Sequence, residues 1–215
     1  MQVLKFGGTS VANAEAIQKV VEIVSGSVDR DRTILVVSAI RGCTDSLIHI
    51  GNLASQRDES YIEIIDDLQD KHHQIIRELL PREKHDEAYR TCDELFDSLR
   101  SIAQGVYLLG ELSPTSLDAI QGFGELWSSK IIATKLASVG IATKWVDSRK
   151  IIRTVSKGET NAVDIQKTYS RVNEMIGNNP ITQLFVMPGF IASDKQGRTT
   201  TLGRGGSDYS ASLMA

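Results

Sequence analysis

The chain has 215 residues, 41% of them hydrophobic and 24% charged, with a formal net charge of -3. That length fits one α/β domain or a domain and a half. A nucleic-acid partner would call for a basic surplus, which is missing, and no apolar run reaches membrane-spanning length, so neither nucleic acid nor membrane is expected as a partner. Cys43 and Cys92 are the only cysteines and have no CxxC spacing. A reducing, cytoplasmic setting follows as the expectation.

Val3-Leu4-Lys5-Phe6 reads as a short buried strand running into Gly7-Gly8-Thr9-Ser10. Ile17, Val20, Val21 and Val24 then recur at helical spacing. Strand, glycine pair and helix start gather free backbone N–H groups at one point, where Lys5 adds a full positive charge. This predicts a phosphate site. It is neither a Walker A loop nor a dinucleotide fingerprint, because both spacings are absent.

Residues 33–38 form a continuous apolar run with β-branched residues, as in a parallel strand covered on both faces. The run opens into Ala39-Ile40-Arg41-Gly42-Cys43, with Thr44-Asp45 expected to cap a helix over 46–54. Residues 58–105 are charged and helical, with stripes at Leu68, Ile75, Ile76, Leu79 and at Leu95, Leu99, Ile102. They predict two helices joined near Pro81, a helical insertion with a solvated face. His72 and His73 are adjacent on a helix, so they point in different directions and make a poor metal pair; both are expected at the surface.

Residues 116–138 predict one long helix or a helix pair carrying Glu125, and 143–147 a third strand. Ile165, Tyr169, Val172 and Ile176 mark a further helical stripe. A fourth strand, 183–187, opens into Pro188-Gly189-Phe190. A hairpin over 191–202 then delivers Gly203-Arg204-Gly205-Gly206-Ser207-Asp208 to a last helix start. The chain stops in an apolar helical segment without stop signals, which is expected of a longer protein cut within a helix. Strands alternating with helices predict an α/β fold, a three-layer αβα sandwich with a mostly parallel central sheet. Ligands in such sheets sit beyond the carboxyl ends of the strands.

Two Gly-rich loops with a lysine at the first and Arg204 and Asp208 in the second suggest a small anionic substrate facing a transferred phosphoryl group. Lys5 could neutralise the moving group, Arg204 could grip a carboxylate in a bidentate fork, and Glu125 could bind an amine. Thr44 and Ser38 are hydroxyl donors for remaining oxygens. Each residue also has a plainer reading: a tight turn at Gly7-Gly8, a solvated Glu125, a surface Arg204, a dipole complement at Asp208.

Lys5-Phe6-Gly7-Gly8-Thr9-Ser10-Val11 resembles the signature of aspartokinases within the amino-acid kinase family. Ser38-Ala39 with Gly42 and Thr44 resembles the family's second loop. Gly124-Glu125 with Ser128 resembles its Gly-Glu motif, and Leu202 to Ala211 its substrate and phosphate loop. Val3 to Asn13 and Leu108-Leu109-Gly110 look most like the bifunctional aspartokinase/homoserine dehydrogenases. The resemblance implies ATP-dependent phosphorylation of the L-aspartate β-carboxylate, with magnesium accompanying the ATP and no metal site built by protein side chains. Residues 1–215 would be the N-terminal, substrate-binding part of the kinase domain, with most ATP contacts beyond residue 215. Carried over by motif, Lys5, Gly7, Gly8 and Ser10 would face the phosphoryl group, and Asp208 would organise Lys5. Ser38, Ala39, Thr44, Glu125, Phe190, Arg204 and Ser207 would hold aspartate, and the full-length protein would be a homo-oligomer. Arg41 and Cys43 receive no role. The alternatives are a different amino-acid kinase, or a non-catalytic module that binds an amino acid.

Overall fold

The structure, a computed structural model, describes residues 1–157 and 160–215. In chain order it places β1 (Gln2–Phe6), α1 (Ala14–Val28), β2 (Thr33–Val37), α2 (Cys43–Ser55), α3 (Tyr61–Leu79) and α4 (His85–Leu109). Next come α5 (Pro114–Gln121), α6 (Phe123–Ser138), β3 (Thr143–Trp145), α7 (Ser148–Ile151) and the strands β4 (Thr154–Lys157) and β5 (Thr160–Val163). The last elements are α8 (Ile165–Gly177), β6 (Leu184–Pro188), β7 (Ile191–Ser193), β8 (Thr199–Thr201) and α9 (Gly206–Met214).

The four strands read from sequence form one sheet in the order β1-β2-β6-β3. Every neighbouring pair is parallel, with Leu4 opposite Leu35 and Leu35 opposite Val186. The inner strands β2 and β6 are buried at every position. Alternation along them sorts side chains by face. Leu35, Val37, Leu184 and Val186 pack with α1, α2, α3, α4 and α6. Ile34, Val36, Phe185 and Met187 pack with α7, α8 and α9. The result is the expected three-layer α/β arrangement.

The 61–109 segment is a helical hairpin, and its inner face belongs to the same core as α1 and α6. Phe96 of α4 stacks on Trp127 of α6, with ring centroids 4.0 Å apart. His72 departs from the surface expectation. It is fully buried, its Nδ1 lies 2.6 Å from the Leu68 carbonyl, and its ring contacts Phe96 and Trp127. The helix turns His72 inward on the Leu68-Ile75-Ile76 side, while His73 turns out toward Asp93.

Two local details also differ from expectation, and a third decides between two expected alternatives. Helix α2 starts at Cys43 behind a left-handed Gly42 (φ 81°), so Thr44 and Asp45 lie in its first turn and do not cap it. Helix α8 buries Thr168, Val172 and Met175, whereas Ile165 and Tyr169 are exposed. The Thr168 hydroxyl accepts from the Arg153 backbone N–H and fixes that rotation. The 116–138 segment is a pair, α5 and α6, broken at Gly122.

Candidate active site

The parallel sheet brings all its carboxyl ends to one edge. There the loops after β1, β2, β6 and β8 enclose a cleft of about 390 Å³. Lys5, Gly8, Ser38, Ala39, Thr44, Glu125, Phe190, Arg204, Ser207 and Asp208 all line it.

Lys5 sits near the end of β1. Its Nζ lies 2.8 Å from Asp208 Oδ1, in the first turn of α9. Asp208 is largely exposed, so the pair adds little stability, on the order of 0–1 kcal/mol; its effect is to hold the ammonium in place. Gly7 lies under that ammonium, since a Cβ there would be 3.6 Å from Lys5 Nζ. Ser10 is not brought to the cleft. Its backbone N–H closes a turn onto the Gly7 carbonyl, and it lines a separate groove with Asn13 and Glu15.

Glu125 enters from the first turn of α6 and is 3% exposed. Its Oε1 accepts the Ala39 N–H at 3.1 Å, while its Oε2 is buried without a partner among the described residues. Burial pushes its carboxyl up to about 8, against the partial relief of the Ala39 hydrogen bond. Helix α6 reaches the second loop so closely that a Cβ on Gly124 would lie 2.7 Å from the Ala39 Cβ. Ser128 donates to the Ser38 carbonyl at 2.8 Å, and Ser38 donates to the Ser207 hydroxyl at 2.8 Å. These bonds tie the second loop to α6 on one side and α9 on the other.

Phe190 holds a left-handed backbone, φ 66°, unusual for an aromatic residue. Its N–H donates to the Ser210 hydroxyl at 3.0 Å, and its carbonyl accepts from Leu202. Such strain, about 1–3 kcal/mol, persists where surrounding structure over-determines it. Arg204 is exposed on the cleft wall. Arg41 and Asp45 line the cleft too, although the motifs singled out neither. The available signal was their place in a loop leaving a strand's carboxyl end. Cys43 is buried and its thiol is pushed far up by burial, so it is not a reactive thiolate.

The strand ends thus bring together two glycine loops, a lysine held by Asp208, an exposed arginine and a buried carboxyl. The Amino acid kinase family model matches residues 1–215, and the chain belongs to that family. Within it, the likeness runs to aspartokinases. The chain is 31% identical over 98% of its length to bifunctional aspartokinase/homoserine dehydrogenase 2 of Arabidopsis thaliana, covering 23% of that protein. It is 31% identical over 99% of its length to lysine-sensitive aspartokinase 3 of Escherichia coli, covering 45% of it. The E. coli aspartokinase III structure in complex with lysine and aspartate superposes with a TM-score of 0.90 at 30% identity, over 100% of this chain and 46% of that one. The same enzyme in complex with aspartate and ADP gives 0.86 at 29% identity, again over 100% of this chain and 46% of that one. The chain thus spans from a quarter to a half of these relatives. No helix among the described residues is long and apolar enough to cross a membrane.

Proposed function

We propose that these residues form the amino-acid-binding and phosphoryl-facing part of an aspartate kinase. The reaction transfers the ATP γ-phosphoryl group to the L-aspartate β-carboxylate, giving β-aspartyl phosphate and ADP. A carboxylate oxygen forms the new P–O bond while the bond to the ADP oxygen breaks. The acceptor is already ionised, so no general base is needed. Catalysis then reduces to positioning and charge stabilisation, which Lys5 and the 7–8 backbone can supply.

The observation that carries this reading is Glu125, a buried carboxyl with one oxygen unpartnered among the described residues, in the same cleft as Arg204, which makes no ion pair among them. An amino acid offers the ammonium and carboxylate that match them. Thr44, Ser38 and Ser207 supply hydroxyls for remaining oxygens, and Phe190 walls the site. Ser10 has no place in it. ATP is the co-substrate of this reading. No group of three or more His, Cys, Asp or Glu among the described residues could hold a metal ion. In this reading magnesium would arrive on the nucleotide phosphates, where it would shield their charge. A homo-oligomeric full-length protein in a reducing compartment belongs to the same reading; both cysteines are free and buried.

The test is a substrate panel on the full-length protein, following ADP release and trapping acyl phosphate with hydroxylamine. Aspartate should support turnover well above succinate, glutamate and N-acetylglutamate. Preference for another acceptor, or amino-acid binding without ADP release, would replace this reading.

A further inference from the structure

The second loop crosses directly over the phosphate loop. A Cβ on Gly8 would lie 3.0 Å from the Ala39 carbonyl oxygen and 3.6 Å from both the Cα and N of Arg41. Arg41 is therefore rooted beside the Gly8 backbone. Its side chain is exposed and lines the cleft beside Lys5 and Gly8. It makes no ion pair among the described residues, although Asp45 and Asp208 line the same cleft. Its backbone, by contrast, is anchored. Lys71 of α3 donates to the Arg41 carbonyl at 3.1 Å, Cys43 N–H closes the turn onto the Ile40 carbonyl at 2.9 Å, and Glu125 holds the Ala39 N–H. A fixed main chain with an unengaged guanidinium is a preorganised anion contact rather than a stability element.

We propose that Arg41 is a further anion-binding residue of the cleft, holding the terminal phosphate of the nucleotide together with Lys5. This rests on the kinase reading above. Lys5 shares its charge with Asp208, and Arg204 is taken by the amino acid's carboxylate. The transferred group spreads negative charge over three equatorial oxygens and needs more than one cation. A planar fork rooted beside the phosphate loop can take two of those oxygens at once.

The experiment is steady-state kinetics on the full-length protein, varying ATP and aspartate separately, for wild type, Arg41→Ala, Arg41→Gln, Arg41→Lys and Lys5→Ala. Folding is checked by circular dichroism and melting temperature, and Arg41→Gln keeps the stem if the alanine variant melts early. Arg41→Ala and Arg41→Gln should lower kcat/KM for ATP about ten- to hundredfold, as for loss of a charge-assisted hydrogen bond. The aspartate KM should stay within about twofold of wild type, and Arg41→Lys should recover only part of the loss. Unchanged ATP kinetics would make Arg41 a solvated surface residue. A loss confined to the aspartate KM would place it on the amino acid instead. Either result in a wild-type protein that releases ADP with aspartate overturns this inference alone; if wild type shows no aspartate-dependent ADP release, the kinase reading itself falls.

Discussion

Lys5 Nζ and Asp208 Oδ1 lie 2.8 Å apart, joining the first strand to the first turn of the last helix. If Lys5 faces the transferred phosphoryl group as proposed, Lys5→Ala in the full-length protein should lower kcat far more than it raises the aspartate KM, because that charge is largest in the transition state. The expected loss is about 3–4 kcal/mol, by analogy with one oxyanion donor. Asp208→Asn should lose less, since it frees the ammonium without removing it. A tenfold or smaller drop in kcat for Lys5→Ala would demote the lysine to a structural residue.

Glu125 and Arg204 should separate the two ends of the amino acid. A ligand lacking the amine leaves Glu125 buried and unmatched, so wild type should favour aspartate over succinate. Glu125→Gln should shrink that ratio of kcat/KM values while weakening aspartate binding. Arg204→Lys should not rescue binding, because an ammonium cannot reproduce the fork. If the ratio survives Glu125→Gln, the carboxyl is a loop anchor for Ala39 and nothing more.

The same carboxyl sets a pH dependence. In the free protein it is held up to about 8, so it is mostly protonated at neutral pH. Only the ionised form matches an ammonium group. Aspartate affinity should therefore rise with pH and level off above about 8, with a proton released on binding, and Glu125→Gln should flatten the profile. Stability runs the opposite way. The folded value is raised from 4.5, so this contribution is full below about 4.5 and lost as pH rises through about 8. Melting curves of wild type and Glu125→Gln across pH 5–9 should converge or cross toward the alkaline side.

His72 predicts acid sensitivity. Burial pulls its imidazole down to about 4 from an ordinary 6.5. A depressed histidine stabilises the fold above about 6.5, and that contribution is lost as pH falls through about 4. His72→Phe should reduce the drop in melting temperature between pH 7 and pH 4. An identical drop in both proteins would assign acid unfolding to other groups.

Gly124→Ala should push Ala39 off Glu125, since the new methyl would stand 2.7 Å from the Ala39 Cβ and 3.4 Å from Cys43 Sγ. Overpacking of this kind costs about 1–3 kcal/mol. Denaturant unfolding should show that loss, and aspartate binding should weaken with it. Full stability and binding together would mean the second loop moves freely.

Contiguous patterns carried much of this protein in the sequence itself. The runs at 3–6, 33–38 and 183–187 read as strands because they are short and mostly apolar, the pattern of a sheet covered on both faces. The loops at 7–8, 38–44 and 203–208 read as ligand loops because glycines and short polar residues follow those strands directly. Other features depend on partners far along the chain. Whether His72 or His73 is buried is set by Phe96 and Trp127, and which side of α8 faces inward by Arg153. Arg41 enters the cleft because the second loop crosses Gly8, a contact between segments about thirty residues apart, whereas Ser10 turns back onto the Gly7 carbonyl. The sequence alone determined the order of strands, helices and glycine loops, since backbone preference and side-chain period act between near neighbours. Only the tertiary structure decided which side chains share the cleft and that Glu125 is buried with a free oxygen. Burial and electrostatic environment are created by elements that meet only when the sheet has closed.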